Sequence, residues 1–216
     1  MKQTDNRSAW QAGFSLVGER VALVPLTESH AGALVAASVE GDLWQIKVTR
    51  VPGAHDVDDY IGLALAQRDA GAGIPFAITL RETGEVIGST RYWELDAANR
   101  KAEIGHTWIA RRWQGTFVNP EMKFLMLRYA FETMGCCRVQ LKTNELNTHS
   151  QAAIARLGAV REGVLRHERI MPDGSIRNAV MFSIIDPEWP AVSAKLQARL
   201  AGLGLSRYQE AMALPG

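Results

Sequence analysis

The apolar positions of this chain switch between two spacings, and the switches mark its elements. Val21, Leu23 and Pro25 alternate within Glu19–Pro25, which predicts a first strand. Thr27 fits a helix N-cap before the Ala- and Leu-rich stretch Glu28–Val39, and the Gly- and Pro-containing segment Gly41–His55 reads as an irregular loop. Acidic residues open Asp56–Ala70, where they suit the positive end of a helix dipole, and Val57, Ile61 and Leu65 share one face. Period two then returns in Pro75–Leu80, Glu85–Glu94 and Lys101–Ile109, an antiparallel meander punctuated by Thr83-Gly84 and by Asp96–Arg100.

A helix follows, signalled by Asn119-Pro120-Glu121 as N-cap, first-turn proline and early carboxylate, with Met122, Leu125, Met126, Tyr129 and Ala130 at helical spacing. Gly135 ends it. Cys137, Val139 and Leu141 alternate with Arg138, Gln140 and Lys142 as another strand, and Asn147–Leu157 is a capped helix closed by Gly158. Ala159–Leu165 and Val180–Ile185 read as strands around the turn Pro172-Asp173-Gly174, and Pro187 opens a last helix to about Leu200. These elements describe one α/β domain over residues 17–200, with a polar extension at 1–16 and a weakly patterned tail at 201–216.

Composition narrows the partners. The chain has 216 residues, 47% hydrophobic and 22% charged, and its 24 basic and 23 acidic side chains leave a net charge of +1, so no global field favours nucleic acid or an anionic membrane. Nowhere do enough apolar residues run together to span a bilayer, and the start carries no secretory pattern, which predicts a cytoplasmic protein. The adjacent Cys136 and Cys137 read as packing residues, and His106, His149 and His167 have no metal-ligand spacing, so no metal is expected.

The chemistry concentrates at Arg111-Arg-Trp-Gln-Gly-Thr-Phe-Val-Asn119, a turn feeding a helix N-terminus whose exposed amides suit an anion such as a pyrophosphate. Taken with the strand Ala102-Glu-Ile-Gly-His-Thr-Trp108 before it, the strand ending at Thr143 and the helix opening Asn147-Thr-His-Ser150, this turn resembles the GNAT superfamily of acetyltransferases, and most of all its ribosomal-protein N-acetyltransferase branch. The resemblance covers roughly residues 17–190. It implies a mixed, mostly antiparallel sheet of about seven strands that splays between the fourth and fifth, with acetyl-coenzyme A in the opening. Backbone amides from Gln114, Gly115, Thr116, Phe117, Val118 and Asn119 would then hold the pyrophosphate, and backbone near Trp108 and Ile109 would pair with pantetheine. The family's usual second loop glycine is replaced by Phe117, which is expected to keep ordinary dihedrals and to serve as a core or lid contact, with direct stacking on the cofactor as the alternative; its replacement by glycine is expected to spare cofactor binding.

Acetyl transfer needs a neutral amine, and therefore a proton acceptor, together with a proton for the departing thiolate. Glu103 in the splayed strand is one carboxylate candidate, with an exposed strand carboxylate paired to a neighbouring arginine as its alternative; the resemblance adds Glu162, whose alternative is a surface charge beside a turn. The tyrosine that many members use as acid is missing, since Tyr60, Tyr92, Tyr129 and Tyr208 lie elsewhere; Ser150 occupies that helix and can donate instead. Asn147 is expected both to cap the helix and to donate to pantetheine. The resemblance places the acceptor, a small-molecule or peptide amine, between Leu43–Tyr60 and Arg166–Arg177, with Trp44 and Trp93 as lining and His167, Glu168 and Asp173 as readers of a cationic acceptor. Leu203–Leu214 is available to a homodimer interface. The competing reading is a catalytically silent acyl-CoA-binding sensor or scaffold.

Overall fold

The computed structural model describes residues 7–41, 43, 50–171 and 174–203. Trp44, Asp173 and most of the proposed dimer segment lie outside these residues. Eight strands form one sheet in the order β1-β2-β3-β4-β5-β6-β8-β7. They are β1 (Leu16–Val17), β2 (Val21–Pro25), β3 (Gly73–Leu80), β4 (Val86–Asp96), β5 (Lys101–Ile109), β6 (Arg138–Asn144), β7 (Val160–Ile170) and β8 (Ile176–Ile185). The helices are α1 (Ala31–Val39), α2 (Val57–Asp69), α3 (Val118–Arg128), α4 (Thr148–Ala155) and α5 (Trp189–Gly202). The two-residue β1 is the strand missing from the expected seven; it is too short to show a period.

All neighbouring strands are antiparallel except β5 and β6. That parallel pairing lasts only for Lys101↔Arg138, Ala102↔Val139 and Glu103↔Gln140. Beyond Glu103 the two strands part, β5 staying with β4 and β6 staying with β8, so the sheet opens as a V. This is the predicted splay.

Side-chain alternation sorts the helices onto two faces. Thr90 and Tyr92 of β4 reach Met126 of α3, whereas Arg91 between them donates to Gln67 of α2 at 3.0 Å. On the same side as Arg91, Trp108 Nε1 donates to the Tyr60 hydroxyl of α2 at 3.2 Å. Thus α3 lies behind the sheet and α2 in front.

Three bulges place non-glycine residues at positive φ. They are Glu94 (46°) in β4, His106 (50°) in β5 and His167 (53°) in β7, each beside a register shift. Bulges re-aim side chains and break the period-two pattern, which explains why β7 and β8 run longer than alternation predicted. The described part of the N-terminal segment is packed rather than loose: Ala9 and Leu16 are buried, and Trp10 Nε1 donates to the Met134 carbonyl at 3.1 Å. Cys136 is buried, which pushes its thiol up to about 12, as suits a packing residue. No helix among the described residues is long and apolar enough to cross a membrane.

Candidate active site

The turn after β5 begins with a short 3-10 helix, Arg111–Trp113, and enters α3 at Val118. Asn119 is therefore a first-turn residue and not the predicted N-cap. The capping is done one turn earlier by Thr116, whose hydroxyl donates to the Trp113 carbonyl at 2.7 Å and accepts from the Val118 amide at 3.3 Å. Gly115 sits at φ 76° with open space where a Cβ would be, so its backbone faces outward in a conformation that favours glycine.

The expected amide cradle is narrower than the sequence implied. Gln114 N–H is spent on the Arg111 carbonyl at 3.1 Å because the 3-10 turn closes there, and the Gln114 side chain donates to Ile109 O at 2.9 Å. The amides of Gly115, Thr116 and Asn119 meet no protein acceptor among the described residues. They are the groups left for an anion at the positive end of α3. Phe117 has φ −67° and is 1% exposed, its ring edge-on to Trp113 at 5.9 Å with the Arg20 guanidinium 4.2 Å from its centroid. Replacing it with glycine would empty core volume at a cost of about 3 kcal/mol or more, so that substitution tests folding before it tests binding. Arg112 is likewise occupied, pairing with Glu85 and Glu40, while Arg111 stays exposed.

Glu103 stands at the apex of the V, in the last parallel pair before the strands part. It is 2% exposed; its Oε2 accepts from Gln140 Nε2 at 3.0 Å and lies 3.2 Å from Lys142 Nζ. Lys142 also reaches Glu94 and Glu168, each at 3.1 Å, so one ammonium on β6 gathers carboxylates from β4, β5 and β7 across the opening. Burial raises the Glu103 carboxyl above the ordinary glutamate value, and the Lys142 charge only partly offsets this. Glu162 is held quite differently. Arg138 grips it bidentately at 2.6 and 2.7 Å and Ser183 donates to it at 2.7 Å. Those bonds, Arg138 foremost, lower its carboxyl to about 2, so it is a poor proton acceptor and a good structural ion pair.

At the mouth of β6, Asn147 caps α4 by accepting the Ser150 amide at 3.0 Å. Its NH₂ group and the Ser150 hydroxyl have no partner among the described residues. Trp108 and Ile109 are buried, and the edge of β5 from Ile104 to Ile109 has no pairing with β6. His149 and His167 are exposed. No group of three or more metal-ligating side chains occurs among the described residues.

Two groups escaped sequence reasoning. Lys123 reads as one more polar position on α3, yet it is 5% exposed and donates to Thr107 Oγ1 at 2.8 Å, which in turn contacts Thr90 Oγ1 at 2.8 Å. Burial lowers its ammonium from 10.5 to about 7. A folded value below the unfolded one means that the unfolded chain binds the extra proton, so stability is penalised near neutrality and recovers as pH rises from about 7 towards 10.5. Lys123→Met is expected to stabilise the protein by ~1–3 kcal/mol at pH 7, and to flatten the rise between pH 7 and 9 in urea melts. An unchanged slope would remove Lys123 as its cause. The second missed group is Arg91, 3% exposed, whose significance depends on neighbours from distant strands.

Residues 20–160 match the model of the acetyltransferase (GNAT) domain. YoaA, an uncharacterized N-acetyltransferase of Bacillus subtilis strain 168, is 26% identical over 175 residues, covering 78% of this chain and 95% of that protein. A structure from T. thermophilus, provisionally described as an acetyltransferase, superposes with a TM-score of 0.77 at 33% identity, over 87% of this chain and 97% of the other. RimJ of Mycobacterium smegmatis, solved in complex with CoA-disulfide, has the same fold, with a TM-score of 0.71 at 23% identity over 85% and 90% of the two chains.

Proposed function

This chain belongs to the GNAT acetyltransferase family, and on that premise we propose that it transfers the acetyl group of acetyl-coenzyme A to a primary amine by direct attack on the thioester. The observation that carries the reading is the V-shaped opening between β5 and β6, with a buried carboxylate at its apex and the amide-bearing N-terminus of α3 beside it. The thioester supplies an activated acyl carbon. Everything else falls to the chain's own residues.

Gly115, Thr116 and Asn119 amides hold the pyrophosphate, and the open edge of β5 takes the pantetheine arm. Glu103 removes the proton that an ammonium acceptor carries, leaving a neutral nitrogen. The nitrogen–carbon bond forms as the carbon–sulfur bond breaks. The second nitrogen proton ends on the sulfur, with Ser150 giving its hydroxyl proton and being restored by the one released. The unusual Phe117, one motive for a silent module, is accounted for by its place in the core. The free cysteines Cys136 and Cys137 agree with a reducing, cytoplasmic setting.

Free-thiol release from acetyl-coenzyme A over a broad amine panel tests the reading: amine-dependent release supports it, whereas coenzyme A binding without release on any amine would leave only the silent module. Asn147→Asp keeps the cap and removes the donor, so coenzyme A affinity is expected to fall by about tenfold, the worth of one hydrogen bond, with Tm within a degree or two of the parent. Undiminished affinity would remove Asn147 from the site.

A further inference from the structure

In front of the sheet, beside the Glu103 apex, the fold gathers positive charge. Arg91 of β4, Arg169 of β7 and Arg177 of β8 come from separate strands, and Arg169 and Arg177 stand directly opposite one another in the β7/β8 register. Like charges so placed repel. The Arg169 guanidinium lies 5.7 Å from the Trp93 ring centroid, and the same indole meets the His106 ring edge-on at 4.8 Å and has Lys142 Nζ at 5.2 Å. Arg91 lies over Tyr60 at 5.4 Å; Gln67 takes one of its nitrogens, but its Nε is buried without a hydrogen-bond partner. Arg50, over the same Tyr60 ring at 5.9 Å, is answered by Asp56 at 3.8 Å. Neither Arg91 nor Arg169 has a carboxylate within 4.0 Å among the described residues. The positive surroundings also tell on His106: burial first, then Arg91, Arg169, Arg50 and Arg177, lower it to about 3, so it stays neutral and adds no charge of its own.

Buried guanidinium nitrogens without acceptors are costly, and a planar guanidinium fork matches a carboxylate or phosphate. The same indole also borders the opposite arrangement, three carboxylates on the single ammonium of Lys142. Trp93 thus borders both charge groups. This rests on the reading of the V as an acetyl-transfer site. We propose that the acceptor is a small primary amine that also carries an anionic group, a carboxylate or a phosphate: Arg91 and Arg169 hold the anion beside Trp93 and His106 while the amine is presented to Glu103. This proposal departs from the sequence reading of a cationic acceptor: His167 is exposed, Glu168 is engaged by Lys142, and Asp173 lies outside the described residues.

Matched acceptors test this on the intact protein: amino acids against their amides, and amines with and without a phosphate monoester, compared by thiol release. The anionic member of at least one pair is expected to have a kcat/KM roughly tenfold or more above its neutral partner, consistent with a charge-assisted hydrogen bond. Arg169→Gln, on a partly exposed strand, should remove most of that preference by raising KM for the anionic member far more than for the neutral one. Arg91→Gln should do the same where it folds. Calorimetry with the N-acetylated acid and its amide needs no turnover: tighter binding of the acid that Arg169→Gln abolishes supports the anion site even if no thiol is released, an outcome that would sink the transfer reading alone. Equal or better use of the neutral members, with equal binding of acid and amide, overturns the inference and leaves acetyl transfer standing.

Discussion

Glu103→Gln should lower kcat at neutral pH by about 10²–10⁴-fold, the range that a positioned general base contributes, while the folded protein keeps its stability. The substitution preserves shape and leaves Lys142 with Glu94 and Glu168, so the clamp across the two arms of the sheet survives. The raised carboxyl of Glu103 predicts the pH behaviour. A base must be ionised to act, so the parent rate should climb as pH rises through a value above that of an ordinary glutamate. At alkaline pH, where the acceptor amine loses its proton unaided, the deficit of the variant should shrink. Steady-state rates from about pH 4, near an ordinary glutamate's value, to about pH 10, near a free amine's, check both features. A loss below about threefold at pH 7, far under the general-base range, would reassign Glu103 to a purely structural ion pair.

The largest loss of stability is expected at Glu121, a residue that the sequence offers only as a favourable charge in the first turn of a helix. Its carboxylate is 3% exposed and accepts from the Arg20 amide at 2.7 Å, the Val21 amide at 3.1 Å and Arg20 Nε at 3.2 Å, tying α3 to the start of β2. The fit is close enough that a Cβ at Gly18 would fall 2.4 Å from Glu121 Oε1. Glu121→Ala strands two backbone donors and a largely buried guanidinium at once, which should cost about 3–5 kcal/mol. Glu121→Gln retains an acceptor oxygen and should cost less. Chemical denaturation with an unchanged m-value would read this as a stability effect, and a cost below about 1 kcal/mol, the net worth of one ordinary hydrogen bond, would mean that solvent replaces these contacts.

How legible the fold was depended on how local its signals are. Lys101–Ile109 was read with its final boundaries because both its period and its flanking turn are written in adjacent residues. The splay followed from the resemblance, and the register confirms where it begins. Bulges were invisible: nothing about Glu94, His106 or His167 as letters announces a positive φ, which the packing of neighbouring strands imposes. The cap of α3 was misplaced because Asn119-Pro120 is a strong local signal that Thr116 and the 3-10 turn before it overrode. Glu103 could be singled out as a carboxylate in the splayed strand, two residues from Gly105 and on the opposite face from Ile104. The arginine cluster could not, since Arg91 and Arg169 are far apart in sequence and share a neighbourhood around His106 only once β4, β5 and β7 are assembled. Lys123 was hidden for the opposite reason, a polar letter in an amphipathic helix whose supposed outer face is covered.

Backbone amide exchange with and without coenzyme A reads the proposed cradle group by group. Slowed exchange at Gly115, Thr116 and Asn119, and along the unpaired edge of β5 from Ile104 to Ile109, is the predicted result. Protection confined to other segments, with these amides exchanging as they do in the free protein, would contradict the placement of the cofactor between β5 and β6.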